Sequence, residues 1–157
     1  MAEALLDTLP SGVRYRRWQP DGEPVAAVLM VHGLGEHSGR YQHVADALVQ
    51  KRFFVIAPDH IGHGESPGDR VFVSKFEDYL DGVRGCRRVI DSSCPGLPCF
   101  ILGHSMGGLI TARLCWRIRP TTGALCSVAL PLPLVSRPRP RSSGLAVCWQ
   151  NWCRVWA

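Results

Sequence analysis

The chain has 157 residues, which suggests a single domain, and its hydrophobic fraction of 46% is sufficient for a sizeable core. The formal net charge of +5 comes entirely from the segment after Ser105, which has seven arginines and no Asp, Glu, Lys or His. Because this charge is confined to one end of the chain, it argues against a nucleic-acid-binding protein. Seven cysteines without a C-x-x-C pair favour neither a disulfide framework nor a zinc site, and indicate reduced thiols in an intracellular protein.

Apolar runs of strand length alternate with segments of helical spacing along the chain. A short outer strand is predicted at 13–18, and the runs predicted as strands buried on both faces are 25–31, 53–57, 99–102 and 124–130. The segments with helical spacing are 41–50, 76–92 and 106–117, and 59–74 is predicted to be loop. This alternation predicts an α/β fold, with a mostly parallel sheet and helices on both faces.

The end of the chain has a different character. Four prolines and an RPRPR segment predict an irregular tail over 131–157, which leaves 1–130 as a partial α/β domain. The tryptophans Trp149, Trp152 and Trp156 follow at helical spacing, and are interpreted either as a small membrane-interface anchor or as part of a poorly packed tail. No signal peptide and no membrane-spanning segment are predicted.

One motif points to nucleophilic catalysis. The segment 103–107, GHSMG, matches G-x-S-x-G and lies between a predicted buried strand and a predicted helix. That context is typical of a nucleophile elbow, where a sharp turn exposes the serine hydroxyl at the edge of the sheet. Ser105 is therefore the candidate nucleophile, and the alternative interpretation is an ordinary glycine-rich turn.

Two further polar segments follow predicted strands. In the segment 31–35, VHGLG, His32 precedes the serine, so we predict a structural role for it rather than that of the catalytic base. The segment 59–66, DHIGHGES, contains His60 and His63 but lacks the helical spacing of a metal site. We predict no metal there, and interpret the segment as a loop packed beside the elbow.

Three strings together resemble the monoacylglycerol lipases of the α/β-hydrolase superfamily: VHGLGEHSGRY (31–41), PDHIGHGESPG (58–68) and PGLPCFILGHSMGG (95–108). The resemblance runs from about residue 25 to 111. It implies the N-terminal half of an α/β-hydrolase fold, with Ser105 as nucleophile and the backbone N–H groups of Leu34 and Met106 as the oxyanion hole.

The resemblance also implies an activity and a cellular setting. The implied reaction is hydrolysis of monoacylglycerol to glycerol and free fatty acid, without a metal or organic cofactor. The implied protein is cytoplasmic, with possible peripheral contact with a membrane. A lysophospholipase or a general carboxylesterase would share this half of the fold, and both stay open as alternatives.

The sequence departs from the family after about residue 112. In this fold the acid and the histidine of the catalytic triad follow the serine, but no Asp, Glu or His follows Ser105 here. We expect the lid and the last strands to be missing, as in a truncated product, and the chain to be inactive alone. The alternative from another class is a non-catalytic fragment that associates or aggregates through an exposed sheet edge. As substitute bases, His104 is expected to point away, and nothing in the sequence places an acid behind His60 or His63.

Overall fold

The fold is built on one six-stranded sheet. The computed structural model describes residues 1–117 and 126–129. The strands in chain order are β1 (Leu5–Thr8), β2 (Arg14–Trp18), β3 (Ala26–Val31), β4 (Phe53–Pro58), β5 (Cys99–His104) and β6 (Cys126–Ala129). The helices are a 3₁₀ turn (Ser38–Tyr41), α1 (Gln42–Val49), α2 (Phe76–Ser93) and α3 (Met106–Arg117).

The sheet is mostly parallel, which confirms the predicted fold class. Its strand order is β1-β2-β4-β3-β5-β6, and β4, β3, β5 and β6 run parallel, whereas β1 and β2 are antiparallel to their neighbours. All six residues of β3 are buried, because this strand has a strand on each side and helices over both faces. Its central position places the segment after β3 beside the segment after β5.

Helices cover both faces of the sheet. On one face α2 and α3 supply Leu80, Val83 and Ile110 to a cluster that includes Leu29 of β3. On the other face Ala45 of α1 packs in a cluster with the strand residues Trp18, Val28, Met30 and Val55. Neighbouring residues of β3 thus belong to opposite clusters, which follows from the two-residue period of a strand.

A strand forms within the predicted range 13–18, but the prediction that it is the outer strand of the sheet is wrong. Its residues form β2, but β1 pairs outside it, so β2 is covered on both edges. The sequence gives little sign of β1, because all four of its residues are exposed and it lacks a buried alternating face. A tight turn joins β1 to β2, in which the Leu9 amide donates to the Val13 carbonyl oxygen at 2.8 Å.

Of the predictions for the C-terminal part of the chain, only the strand over 124–130 can be compared with the structure. The strand β6 lies inside the predicted run 124–130, whereas the tail 131–157 and its tryptophans lie outside the described residues. Within the described residues no helix is both long enough and apolar enough to cross a bilayer. Self-association through an open sheet edge stays a prediction.

Candidate active site

Ser105 lies between the last residue of β5 and the first residue of α3. Its φ angle is +52°, in the left-handed region that non-glycine residues rarely adopt. The strand-to-helix turn therefore has its strained residue at the serine itself. A backbone held in this region costs about 1–3 kcal/mol, and such strain is found most often at functional sites.

Glycines make the turn possible. A Cβ atom at Gly103 would lie 2.5 Å from the carbonyl oxygen of Gly107, and one at Gly107 would collide with the carbonyl oxygen of Val31. The start of α3 is thus pressed against the end of β3, at a distance that only glycine allows. The two glycines of the motif are explained by contacts with the sheet and the helix, as well as by the turn.

The segment after β3 reaches the serine from the other side. A Cβ atom at Gly33 would lie 3.3 Å from Cβ of Ser105 and 3.2 Å from Nδ1 of His104. Leu34 follows directly and its side chain is largely exposed. Met106 is the first residue of α3, so its amide is among those without a partner inside the helix. The chain therefore brings the backbone of Gly33 and the N-terminus of α3 to the same serine.

A partly buried carboxylate links these two segments. Oε1 of Glu36 accepts hydrogen bonds from the Gly33 amide at 2.5 Å, from the Tyr41 hydroxyl at 2.7 Å and from Nδ1 of His104 at 3.0 Å. Burial raises the pKa of Glu36, but the hydrogen bonds from Tyr41, Gly33 and His104 outweigh burial and hold the pKa below its usual value. Glu36 is therefore a charged acceptor beside the elbow.

His32 is held by backbone groups at both ring nitrogens. Its Nε2 accepts from the His60 amide at 3.0 Å, and its Nδ1 donates to the Gly33 carbonyl oxygen at 2.7 Å. Burial lowers the pKa of His32 to about 4. Neither nitrogen is free to take a proton from Ser105, and the geometry agrees with the structural role predicted for this residue.

The loop after β4 is organised by Asp59. This buried carboxylate accepts from the Ser38 amide at 2.7 Å, from the Glu65 amide at 2.9 Å and from the Arg16 guanidinium at 3.2 Å. His60 and His63 are also buried, and their rings pack against Tyr79 of α2. In the described part of the chain, no group of three or more His, Cys, Asp or Glu residues is arranged to hold a metal ion.

No base reaches the serine among residues 1–117 and 126–129. In these ranges the Ser105 hydroxyl has no hydrogen bond to a histidine or a carboxylate, and His104 turns its Nδ1 toward Glu36 instead. The structure thus places Ser105 next to Met106 and beside Gly33, with Leu34 following Gly33 in the chain, whereas His32, His60 and His63 form a separate buried cluster.

Sequence reasoning missed Glu36 and Tyr41. Both lie in the string 31–41 that carries the family resemblance, close after the glycines of the β3 segment. Their place in that string is the sequence signal that could have pointed to a role for these two residues. The partner His104 lies 68 positions further along the chain, so only the parallel pairing of β3 with β5 reveals the contact.

The chain is similar in sequence to known proteins. Residues 22–151 match the model of the Hydrolase_4 family, described as serine aminopeptidase, S33. Human monoglyceride lipase is 44% identical over 120 residues, a match that covers 76% of this chain and 39% of that relative. The chain thus spans about two fifths of the length of this relative.

Two solved structures extend the comparison. A thermostable carboxyl esterase from Bacillus coagulans, in complex with glycerol, has a TM-score of 0.63 at 30% identity, covering 74% of this chain and 41% of that chain. A monoacylglycerol lipase from Paleococcus ferrophilus has a TM-score of 0.58 at 30% identity, covering 89% of this chain and 50% of that chain.

Proposed function

The chain belongs to the Hydrolase_4 family (serine aminopeptidase, S33) of α/β-hydrolases, and on that premise we propose that it forms the nucleophile-bearing part of a serine esterase acting on monoacylglycerol. The observation that carries this proposal is the left-handed backbone of Ser105, placed between β5 and α3 with the Gly33 backbone beside it. Relatives named monoglyceride lipase support the choice of substrate class.

In this proposal the hydroxyl oxygen of Ser105 attacks the ester carbonyl carbon of the substrate. Negative charge then develops on the carbonyl oxygen, and the amides of Leu34 and Met106 donate to it. Removing one such donor typically lowers kcat by about 10²–10³-fold. The Met106 amide has an added advantage, because the N-terminus of a helix favours negative charge.

Activation of the serine is the missing step. A serine hydroxyl is a weak nucleophile until a base takes its proton. Losing triad members costs about 10⁴–10⁶-fold in rate, and no Asp, Glu or His follows Ser105 in the 157 residues. We therefore expect these residues alone to be inactive, with the acid and the histidine having to come from outside this sequence.

The first experiment is covalent labelling with a fluorophosphonate probe. The wild-type chain, the Ser105→Ala variant and human monoglyceride lipase are treated in parallel. We expect labelling of the human enzyme only. Strong labelling of the wild-type chain that is lost in Ser105→Ala would show an activated serine, and would refute the expected inactivity of the chain.

A chimera tests the nucleophile itself. Residues 1–117 are joined to the part of human monoglyceride lipase that follows its matching segment, which restores an acid and a histidine. We expect hydrolysis of monoacylglycerol that is abolished by Ser105→Ala. A folded chimera without activity would refute the role of Ser105, and turnover of simple esters but not of monoacylglycerol would favour the carboxylesterase alternative.

A further inference from the structure

One carboxylate oxygen joins three separate parts of the chain beside Ser105. Oε1 of Glu36 accepts from Gly33 after β3, from Tyr41 in the 3₁₀ turn and from His104 at the end of β5. The glutamate side chain is only 11% exposed, so water competes weakly for its bonds to Gly33 and Tyr41, whereas the His104 side chain is half exposed. Its other oxygen, Oε2, lies 3.8 Å from the exposed guanidinium of Arg40.

The bonds act on the two segments that approach the serine. The Gly33 amide donates to Glu36 and is therefore not available to an oxyanion, which leaves the next amide, that of Leu34, as the candidate donor from this segment. His104 directly precedes Ser105, so its bond to Glu36 fixes the last residue of the strand that leads into the turn. Glu36 thereby ties the β3 segment and the elbow to a common point.

We propose that Glu36 is a positioning residue, which holds the oxyanion loop (residues 33–35) against the nucleophile elbow. The proposal rests on the proposed function for its catalytic meaning, but its geometry is testable without any activity. An acceptor that is ionised gives stronger hydrogen bonds than a neutral one, which suits a residue that must fix a backbone amide.

Two NMR signals report this geometry directly in the full 157-residue chain. A Cβ atom built on Gly33 would lie 3.3 Å from Cβ of Ser105, so the Gly33 α-hydrogen in that direction lies close to the serine side chain. A strong nuclear Overhauser effect (NOE) should therefore join Gly33 Hα to Ser105 Hβ. The neutral imidazole of His104 should carry its proton on Nδ1, which is the nitrogen that faces Glu36. Imidazole nitrogen shifts at pH 8 distinguish this tautomer from the Nε2–H form.

The variants separate positioning from general stability. In Glu36→Ala we expect the Gly33–Ser105 NOE to be lost and the His104 proton to leave Nδ1, while NOEs between the paired residues Leu29 and Ile101 stay unchanged. Glu36→Gln keeps an acceptor oxygen, so it should restore the NOE. The matched control is Glu23→Ala, at an exposed glutamate in the turn before β3, and it should change neither signal.

Each outcome decides the proposal. A wild-type chain without the NOE, or with the His104 proton on Nε2, would overturn it. A folded Glu36→Ala variant that keeps the NOE would also overturn it, even with a lower unfolding midpoint, because Glu36 would then be merely structural.

If Glu36→Ala does not fold, Glu36→Gln decides: a kept NOE with a shifted Nδ1–H signal supports positioning, and an unshifted signal refutes it. Fluorophosphonate labelling does not enter these readouts, so a failure of the proposed function is recognised separately.

Discussion

Acidification should destabilise the fold through the buried histidines His32 and His60, whose pKa values are lowered by burial. The rings of His32 and His60 lie 4.2 Å apart between centroids, and those of His32 and His63 lie 5.4 Å apart. In the described residues, Nδ1 of His60 and Nε2 of His63 are buried without a hydrogen-bond partner. Protonating His32 or His60 would place a charge among buried rings, with little water to solvate it.

The sign and the size follow from the lowered pKa values. Burial lowers the pKa of His32 from 6.5 to about 4, and it also lowers the pKa of His60. The folded state therefore binds fewer protons than the unfolded state below pH 6.5. Stability is complete above that pH and is lost as the pH falls toward 4. For His32 alone the loss between pH 7.5 and pH 5 is about 2 kcal/mol.

The assay is urea unfolding at several pH values between 7.5 and 5, where most carboxylates of the unfolded chain stay ionised. His32→Gln keeps a donor and an acceptor but does not titrate, so it should flatten the dependence of the unfolding free energy on pH. The exposed His43 of α1 supplies the control His43→Gln, which should leave the slope unchanged. A flat profile in the wild-type chain, or an unchanged slope in His32→Gln, would refute the reasoning.

Three further predictions concern packing around the sheet. Gly107→Ala should lower the unfolding free energy by about 1–3 kcal/mol, because the new methyl group meets the Val31 carbonyl oxygen. Its control Gly82→Ala in α2 should be neutral or slightly stabilising in the same urea titration, since its methyl group finds ordinary contacts. Asp59→Asn should cost about 3 kcal/mol and open the loop after β4 to proteolysis, and an unchanged cleavage rate would contradict this. Cys86 should resist alkylation in the native chain, because burial raises the pKa of its thiol; modification at native pH, mapped by mass spectrometry, would contradict that burial.

Much of the fold could be predicted because its core is locally encoded. The continuous apolar runs gave β3 and β4 within one residue at either end, and helical spacing gave α2 to within one residue. The exposed strand β1 has no such pattern, since its pairing with β2 depends on backbone hydrogen bonds rather than on buried side chains.

The sequence predicted the serine motif of the candidate site but not the side chains whose hydrogen bonds hold the surrounding segments in place. The G-x-S-x-G spacing located Ser105 because the turn itself demands those residues. The bonds of Glu36 to His104 and of Arg16 to Asp59 join residues that are far apart in sequence. No local periodicity encodes such contacts, because they arise only from the order of strands in the sheet.

The position of β3 between β4 and β5 also has a kinetic consequence. Synthesis delivers β3 and β4 close together, so these strands can pair early, whereas β5 emerges only after the whole of α2. Contacts between distant segments form slowly, because a long stretch of chain must first be closed. The Gly33 backbone meets the serine turn only when β5 docks beside β3. We therefore expect the candidate site to form late in folding, and a variant that delays this docking should delay the formation of the site even where every residue of the site is unchanged.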